Sequence, residues 1–331
     1  MLFRKNSHCH RHRFINERIT LKTILFCLLA AGTGILFTAC PSSPRAGTDR
    51  PFTAAVVQMK VSEEIFASPT MFRAMIRSII QEACKDSKPD IIIFPEYTSV
   101  FAALFPYMPS ILQSSSAIEA LDKIKKNHPD ITTVQSVFIK QSENTKALVQ
   151  SVFGDLALEF NTMIVAGTYF IAEKGKLYNR LVVFDEWGKQ TYTQDKVFLT
   201  PIESNILQIT PGDIANATGL MHKNRQLVFT ICRDSLEPVW SSHYPEADIW
   251  IDIKANGGTF TKEQEESFSR FMPARLAETH ITYGITACLT GTFLDYFWEG
   301  RSSVVSKKSD LKILLQAKKP TTQEVLVITL P

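Results

Sequence analysis

The sequence predicts an α/β fold, one domain in which short buried strands alternate with amphipathic helices. Three observations carry that reading. Apolar runs bounded by turn residues recur near Ala54, Ile91, Ile164, Leu181, Val228, Ile249, Ile285 and Val325, the pattern of core strands. Between several of them apolar residues return at three-to-four spacing, the period of a helix with one buried face. The chain has 331 residues and is 45% hydrophobic, enough for one large core, and no internal repeat or low-complexity linker divides it.

The elements follow in order. Phe52 to Met59 is the opening strand. Ile65 to Ala83 reads as a helix, with Phe72, Met75, Ile76, Ile79, Ile80 and Ala83 on one face. Ile91 to Phe94 is a strand stopped by Pro95, which cannot donate to a ladder and holds its predecessor extended, and Glu96 stands just past its end. The connection from Glu96 to Met163 is long and carries Phe101, Phe105, Pro106, Tyr107, Met108 and Pro109. A lid, a partner surface, a membrane-touching edge and plain packing over the core are all open for it. Ala147 to Phe160 reads as a helix and Ile164 to Thr168 as a strand. Leu181 to Lys196 reads as a hairpin with Gly188 in its turn, delivering Lys196 at the far end. Leu227 to Ile231 is a strand that ends in Cys232-Arg233-Asp234. A strand at Ile249, a helix over Glu263 to Glu278, a strand at Ile285 and a last strand over Val325 to Ile328 complete the domain.

Three residues stand where α/β proteins carry chemistry, at the rim of the sheet. Taken singly, Cys232 reads as a core thiol, Glu96 as a solvated loop acid and Lys196 as an exposed lysine. Taken together, in the order Glu, Lys, Cys, their segments resemble the nitrilase superfamily of carbon–nitrogen hydrolases. Phe94-Pro95-Glu96 matches the glutamate motif, Lys196 with Pro201 and Glu203 the lysine motif, and Ile231-Cys232-Arg233-Asp234 the nucleophile motif. Ile164 to Thr168, Tyr178-Asn179, Ala247-Asp248-Ile249, Ala255-Asn256 and Ala274 to Glu278 fit the elements between and after them. The likeness runs from Phe52 onward.

The resemblance implies a four-layer αββα sandwich that self-associates through its outer helices, hence a homodimer. It also implies chemistry without a metal or organic cofactor. Cys232 would be the nucleophile, its thiol pKa lowered or a base set beside it. Glu96 would be the general base and later the acid for the leaving amine. Lys196 would stabilise the oxyanion with the backbone N–H of Arg233, and Glu203 would orient lysine and substrate. The substrate would be a small-molecule amide, since an acid two residues after the cysteine resembles the amide-cleaving branches more than the nitrile-cleaving ones. Hydrolysis through a thioester, transfer of the acyl group to an amine, and a non-catalytic scaffold are the three readings, in that order. Arg233, where an aromatic is commoner, either sets positive charge at the pocket mouth for an acidic substrate or makes an ordinary surface ion pair.

The amino terminus speaks to location. Arg4, Lys5, Arg11, Arg13, Arg18 and Lys22 stand against one acid, Glu17, and sixteen uncharged, mostly apolar residues follow from Ile24 to Ala39. That is a signal segment over 1–40, shorter than the ~20 residues of a membrane span. Phe37-Thr38-Ala39-Cys40 resembles a bacterial lipobox, which implies a lipidated Cys40, a tether over 41–51 and a catalytic domain over 52–331. Simple secretion and a retained anchor are the alternatives. Basic charge ahead of the segment predicts an extracytoplasmic domain, anchored to the membrane of a bacterial envelope.

The leader also explains the charge. The chain carries 36 basic and 33 acidic residues, and without residues 1–40 it has 30 and 32, a net of −2. A nucleic-acid partner is therefore not expected. His8-Cys9-His10-Arg11-His12 lies among arginines and is not read as a metal site. Cys84, Cys232 and Cys288 remain in the domain, an odd count that argues against a disulfide framework, with Cys84 and Cys288 expected buried and inert.

Overall fold

The computed structural model describes residues 50–308 and 310–331. The signal segment, Cys40 and the tether up to residue 49 lie outside the described residues. Strand β1 (Phe52–Val61) leads to helix α1 (Pro69–Ala83), which starts where Ser68 accepts the Met71 N–H at 3.2 Å and Pro69 takes the first helical position. The helix expected from Ile65 is thus two pieces, a 3-10 turn over Glu63–Phe66 and α1, because Pro69 has no N–H to continue the turn. Strand β2 (Ile91–Ile93) follows.

The long connection is mostly helical. It holds a 3-10 stretch over Val100–Tyr107, then α2 (Met108–Ile111), α3 (Ala117–Asn127) and α4 (Val134–Phe160). Helix α4 begins well before the expected Ala147 because the polar residues that interrupt its apolar pattern are buried with partners. Gln141 donates to the Tyr107 hydroxyl at 3.1 Å, Ser142 Oγ accepts the Ala172 N–H at 2.7 Å, and Thr145 donates to the Gln141 carbonyl at 2.9 Å.

Strands β3 (Met163–Glu173), β4 (Lys176–Phe184) and β5 (Gln190–Asp195) form an antiparallel meander that contains the expected hairpin. Then come β6 (Leu220–His222), β7 (Arg225–Ile231), α5 (Val239–His243) and β8 (Ile249–Lys254). The helix expected over Glu263 to Glu278 is α6 (Lys262–Phe268) and α7 (Met272–Ala277), broken at Phe271, whose φ of −81° and ψ of −131° leave the helical region. Strands β9 (Tyr283–Phe293), β10 (Tyr296–Trp298), β11 (Ser303–Ser306), β12 (Lys312–Gln316) and β13 (Glu324–Leu330) close the chain.

Two sheets result. One runs β5-β4-β3-β2-β1-β13, the other β6-β7-β8-β9-β11-β12, and they join where Met59 to Val61 pair in parallel with Leu289 to Gly291. The period-two alternation of a strand builds the layers. Along β1, Ala54 and Val56 pack with Phe229, Ile251 and Ile285 of the second sheet, whereas Ala55, Val57 and Met59 pack with Ile76 of α1 and Phe153 of α4. Val228 and Trp250 turn to the opposite side, against Trp240 of α5 and Leu276 of α7. The layers are helix, sheet, sheet, helix, which is the expected αββα sandwich in one domain. Strands β1, β2 and β3 are parallel, as are β7, β8 and β9, so the ends of β2, β7 and β8 can supply one site. Among the described residues, no helix is long and apolar enough to cross a membrane.

Candidate active site

Glu96 and Cys232 both leave their strands through a left-handed turn. Tyr97, immediately after Glu96, has φ 62°, and Cys232 itself has φ 54°. A positive φ reverses the chain within one residue, so each strand stops short and its functional side chain stays at the sheet rim. Gly167 of β3 makes room for the first turn, since a Cβ there would run into the Pro95 carbonyl and the Thr98 side chain. Lys196 directly follows β5, its N–H donating to the Asn179 carbonyl at 2.9 Å.

The three predicted residues converge, with Glu203 beside them. Lys196 Nζ lies 2.8 Å from Glu96 Oε1 and 2.8 Å from Glu203 Oε2, and all three side chains are buried. Asn179 Nδ2 bridges the same carboxylates, 3.0 Å from Oε1 of each. The other Glu96 oxygen accepts the Ala255 N–H at 3.0 Å. Glu203, on a π-helical turn over Ile202–Ile206, also accepts from the Tyr97 hydroxyl at 2.9 Å and from the Thr200 N–H and hydroxyl at 2.8 and 2.9 Å. An ammonium has three N–H donors, and the two carboxylates account for two of them.

The electrostatics divide the acids. Burial pushes Glu96 above the usual carboxylate range, with the Glu203 charge adding to it against the opposing pull of Lys196. Burial also works against the charge of Glu203, but Lys196 and the Thr200 and Tyr97 donors outweigh it and hold its pKa low. Burial opposes the Lys196 ammonium too, yet Glu96, Cys232 and Glu203 keep it protonated. Burial and then the Glu96 charge push the Cys232 thiol up to about 12. A thiol pKa lowered by its surroundings is therefore not what the site shows, and Glu96 lines the same cavity as the thiol.

Asp234, read from the sequence as a mark of substrate class, ties the Cys232 turn to the lysine segment. It is buried and accepts the N–H groups of Val197 at 3.1 Å, Phe198 at 2.7 Å and Ile231 at 3.2 Å. Arg233 points elsewhere. Its side chain lies 3.7 Å from Glu237 in a half-exposed ion pair and is not among the residues lining the cavity described below, which favours the surface-pair reading over the acidic-substrate one. A further buried cluster was not expected at all. Lys254 Nζ donates to the Cys232 carbonyl at 3.3 Å and to Ser235 Oγ at 3.2 Å, and lies 3.0 Å from Asp252, which accepts from Ser235 and Thr230. Its signal was in the sequence, because Asp252 and Lys254 are charges two apart in an apolar strand and share one face.

Glu96, Lys196 and Cys232 line one cavity of about 340 Å³. Cys232 is half-buried in its wall. The aromatic-proline segment, α2 and α3 also line it, through Phe101, Leu104, Ile111, Leu121 and Ile124. Of the other described cysteines, both free, Cys288 is buried, whereas Cys84 caps the end of α1 and is half-buried.

Comparison with known proteins agrees with this fold. The fold matches a mutant of the amidase from Nesterenkonia sp. AN1 that has taken up acrylamide at its active-site cysteine, with a TM-score of 0.62 at 17% identity, over 85% of this chain and 93% of that one. It also matches a carbon–nitrogen hydrolase from Helicobacter pylori, with a TM-score of 0.61 at 19% identity, over 86% and 90% of the two chains. In sequence, 95 residues are 32% identical to a probable hydrolase, YhcX, of Bacillus subtilis (strain 168). That match spans 26% of this chain and 18% of the relative. The family model for carbon-nitrogen hydrolases matches residues 53–331. With the sandwich and the converging strand ends already in place, that match over the whole domain means that the chain belongs to the carbon-nitrogen hydrolase family.

Proposed function

We propose that this chain is a thiol amidase that opens a non-peptide or small peptidic amide with Cys232, Glu96 and Lys196. The observation that carries the reading is the meeting of all three in one cavity wall, with Lys196 held by two buried carboxylates. The thiol is neutral at rest because burial and Glu96 raise its pKa. Its proton passes to Glu96 as Sγ bonds to the amide carbon. The carbonyl oxygen gains the negative charge, and the third N–H of Lys196 and the Arg233 backbone N–H stabilise it. Glu96 returns the proton to the departing nitrogen, the C–N bond breaks, and a thioester remains. Water, deprotonated by Glu96, then releases the acid and restores the thiol. Glu203 is a positioning residue, holding Lys196 and sharing Asn179 with Glu96.

Ammonia release from a panel of primary amides tests the reading, with Cys232→Ala as the control. Turnover that disappears in Cys232→Ala supports it, and turnover that survives removes Cys232 from the chemistry. Added hydroxylamine or a primary amine separates hydrolysis from acyl transfer, since an acyltransferase yields the amide of the added amine in place of the acid. The leader sets the compartment. Residues 1–40 export the domain and Cys40 carries a lipid that holds it to the envelope membrane, a reading that rests on the sequence alone. Fractionation of the full chain beside Cys40→Ser tests it, and an unchanged membrane fraction would sink the lipid anchor.

A further inference from the structure

The reacting groups line a cavity whose wall is mostly hydrocarbon. Among the described residues, Glu96 and Lys196 are its only charged lining, and Tyr97, Thr200 and Cys232 join them. The rest of the wall is largely aliphatic and aromatic. Helix α3 contributes Ala117, Ala120, Leu121 and Ile124, the i, i+3, i+4, i+7 face of a helix, turned into the cavity. Such an inward apolar face ordinarily closes on the core, yet here it leaves open space against Phe101 and Leu104.

The opening has the same character. Ile202 and Ile206 line the cavity while 48% and 54% exposed, and Tyr296 and Phe297 do so while 42% and 41% exposed. Large apolar side chains gathered at the rim of an apolar cavity mark a binding site for an apolar group. A small polar amide such as acetamide would leave nearly all of this surface unpaired. A substrate with charge beyond its amide would meet no further counter-ion among the described lining residues.

We propose that the amide cleaved here carries an unbranched hydrocarbon arm, as in a fatty amide, and that α3 with the 3-10 stretch before it forms the wall that receives the arm. This rests on the amidase reading above and adds the substrate class to it. The amide group sits at Cys232 between Glu96 and Lys196, and the arm runs from there toward Leu121 and Ile124. Each buried methylene then raises kcat/KM about fourfold. From propanamide to octanamide the gain is on the order of 10²–10³.

The test is kcat/KM for propanamide, butanamide, hexanamide and octanamide, together with N-hexylacetamide, which carries its arm on nitrogen. Calorimetric binding of the same compounds to Cys232→Ala runs beside it. A steep rise along the primary amides supports the proposal with the arm on the acyl side, and a rise confined to N-hexylacetamide supports it with the arm on the amine side. If propanamide is turned over and no longer compound exceeds it, the arm is refuted while the amidase reading stands. If nothing is turned over but Cys232→Ala binds octanamide at least tenfold more tightly than propanamide, the cavity assignment stands and the amidase reading falls. Absence of both turnover and binding overturns the proposal. Leu121→Trp and, from the facing wall, Leu104→Trp shorten the cavity at half-buried positions. Each should lower the octanamide-to-propanamide ratio at least tenfold, and a ratio unchanged in both folded variants refutes the assigned wall.

Discussion

Replacing Lys196 with Met keeps a side chain of similar length and removes the cation that two buried carboxylates share. Nζ lies 2.8 Å from each of Glu96 and Glu203. At an effective dielectric of about 20 each contact is worth roughly 6 kcal/mol before desolvation. Burying the ammonium offsets much of that, and breaking a buried pair by deleting one partner costs about 3–5 kcal/mol net. For a chain of this size that is a fall in Tm of roughly 4–9 °C. The pH dependence is the sharper signature. In the native protein Glu203 sits below the usual carboxylate range, so its contribution is present above about pH 4.3 and fades as pH falls through its folded pKa. Without Lys196, burial is opposed only by neutral hydrogen-bond donors and both acids titrate higher. The folded variant then holds protons that the unfolded chain gives up, and it loses stability as pH rises. Urea unfolding of both proteins at about pH 5 and about pH 8 should show a gap that widens by at least ~2 kcal/mol at the higher pH. A gap of equal size at both would mean that the loss is one of packing, and the account of shared charge would be wrong.

Other substitutions separate the parts of the site. Glu96→Gln removes a charge that raises the Cys232 pKa, so the pH profile of Cys232 alkylation by iodoacetamide should move to lower pH while amide turnover falls by ~10²–10⁴; movement of the profile to higher pH counts against the assignment. Asp234 is pushed up to about 7 by burial, above its unfolded value, so its ionisation erodes stability as pH rises from about 4 to about 7. Asp234→Asn should flatten that part of the stability profile and lower kcat, and an unchanged slope would contradict the burial argument. Gly167→Ala, at φ +69° with a Cβ aimed at the Pro95 carbonyl, should displace the Glu96 turn and lower kcat by about 10²-fold without touching a reacting group; full activity in the folded variant would show that the turn tolerates the shift.

The sandwich and the meeting of Glu96, Lys196 and Cys232 in one cavity wall were legible because strand ends are marked in sequence. Pro95 stops β2 and Cys232 follows an apolar run, so both reactive groups could be assigned to the rim before any coordinate. The supporting groups were less visible. Asn179 stood in a matched segment, but nothing local says that its amide will reach two acids from distant segments, each at 3.0 Å. Asp234 was legible as an acid two residues past the cysteine, but its acceptance of three backbone N–H groups depends on a loop that comes close only in the folded chain. Helix lengths failed for a related reason. Gln141, Ser142 and Thr145 break the apolar pattern of α4, yet each is buried against a partner that the chain brings from elsewhere or from its own preceding turn. Arg233 could be read either way, and only Glu237 at 3.7 Å decides between them.

The left-handed turns at Tyr97 and Cys232 set durability against reactivity. An L-residue held there carries a penalty of about 1–2 kcal/mol that glycine would avoid. On the proposed mechanism glycine suits neither position, because it would remove the attacking thiol at one and the Tyr97 hydroxyl that donates to Glu203 at the other. Substitutions selected only for heat resistance would therefore gather at the two residues the chemistry can least spare. A Cys232→Gly protein that outlasts the native chain on heating would be a measure of how much robustness this fold gives up to aim its sulfur.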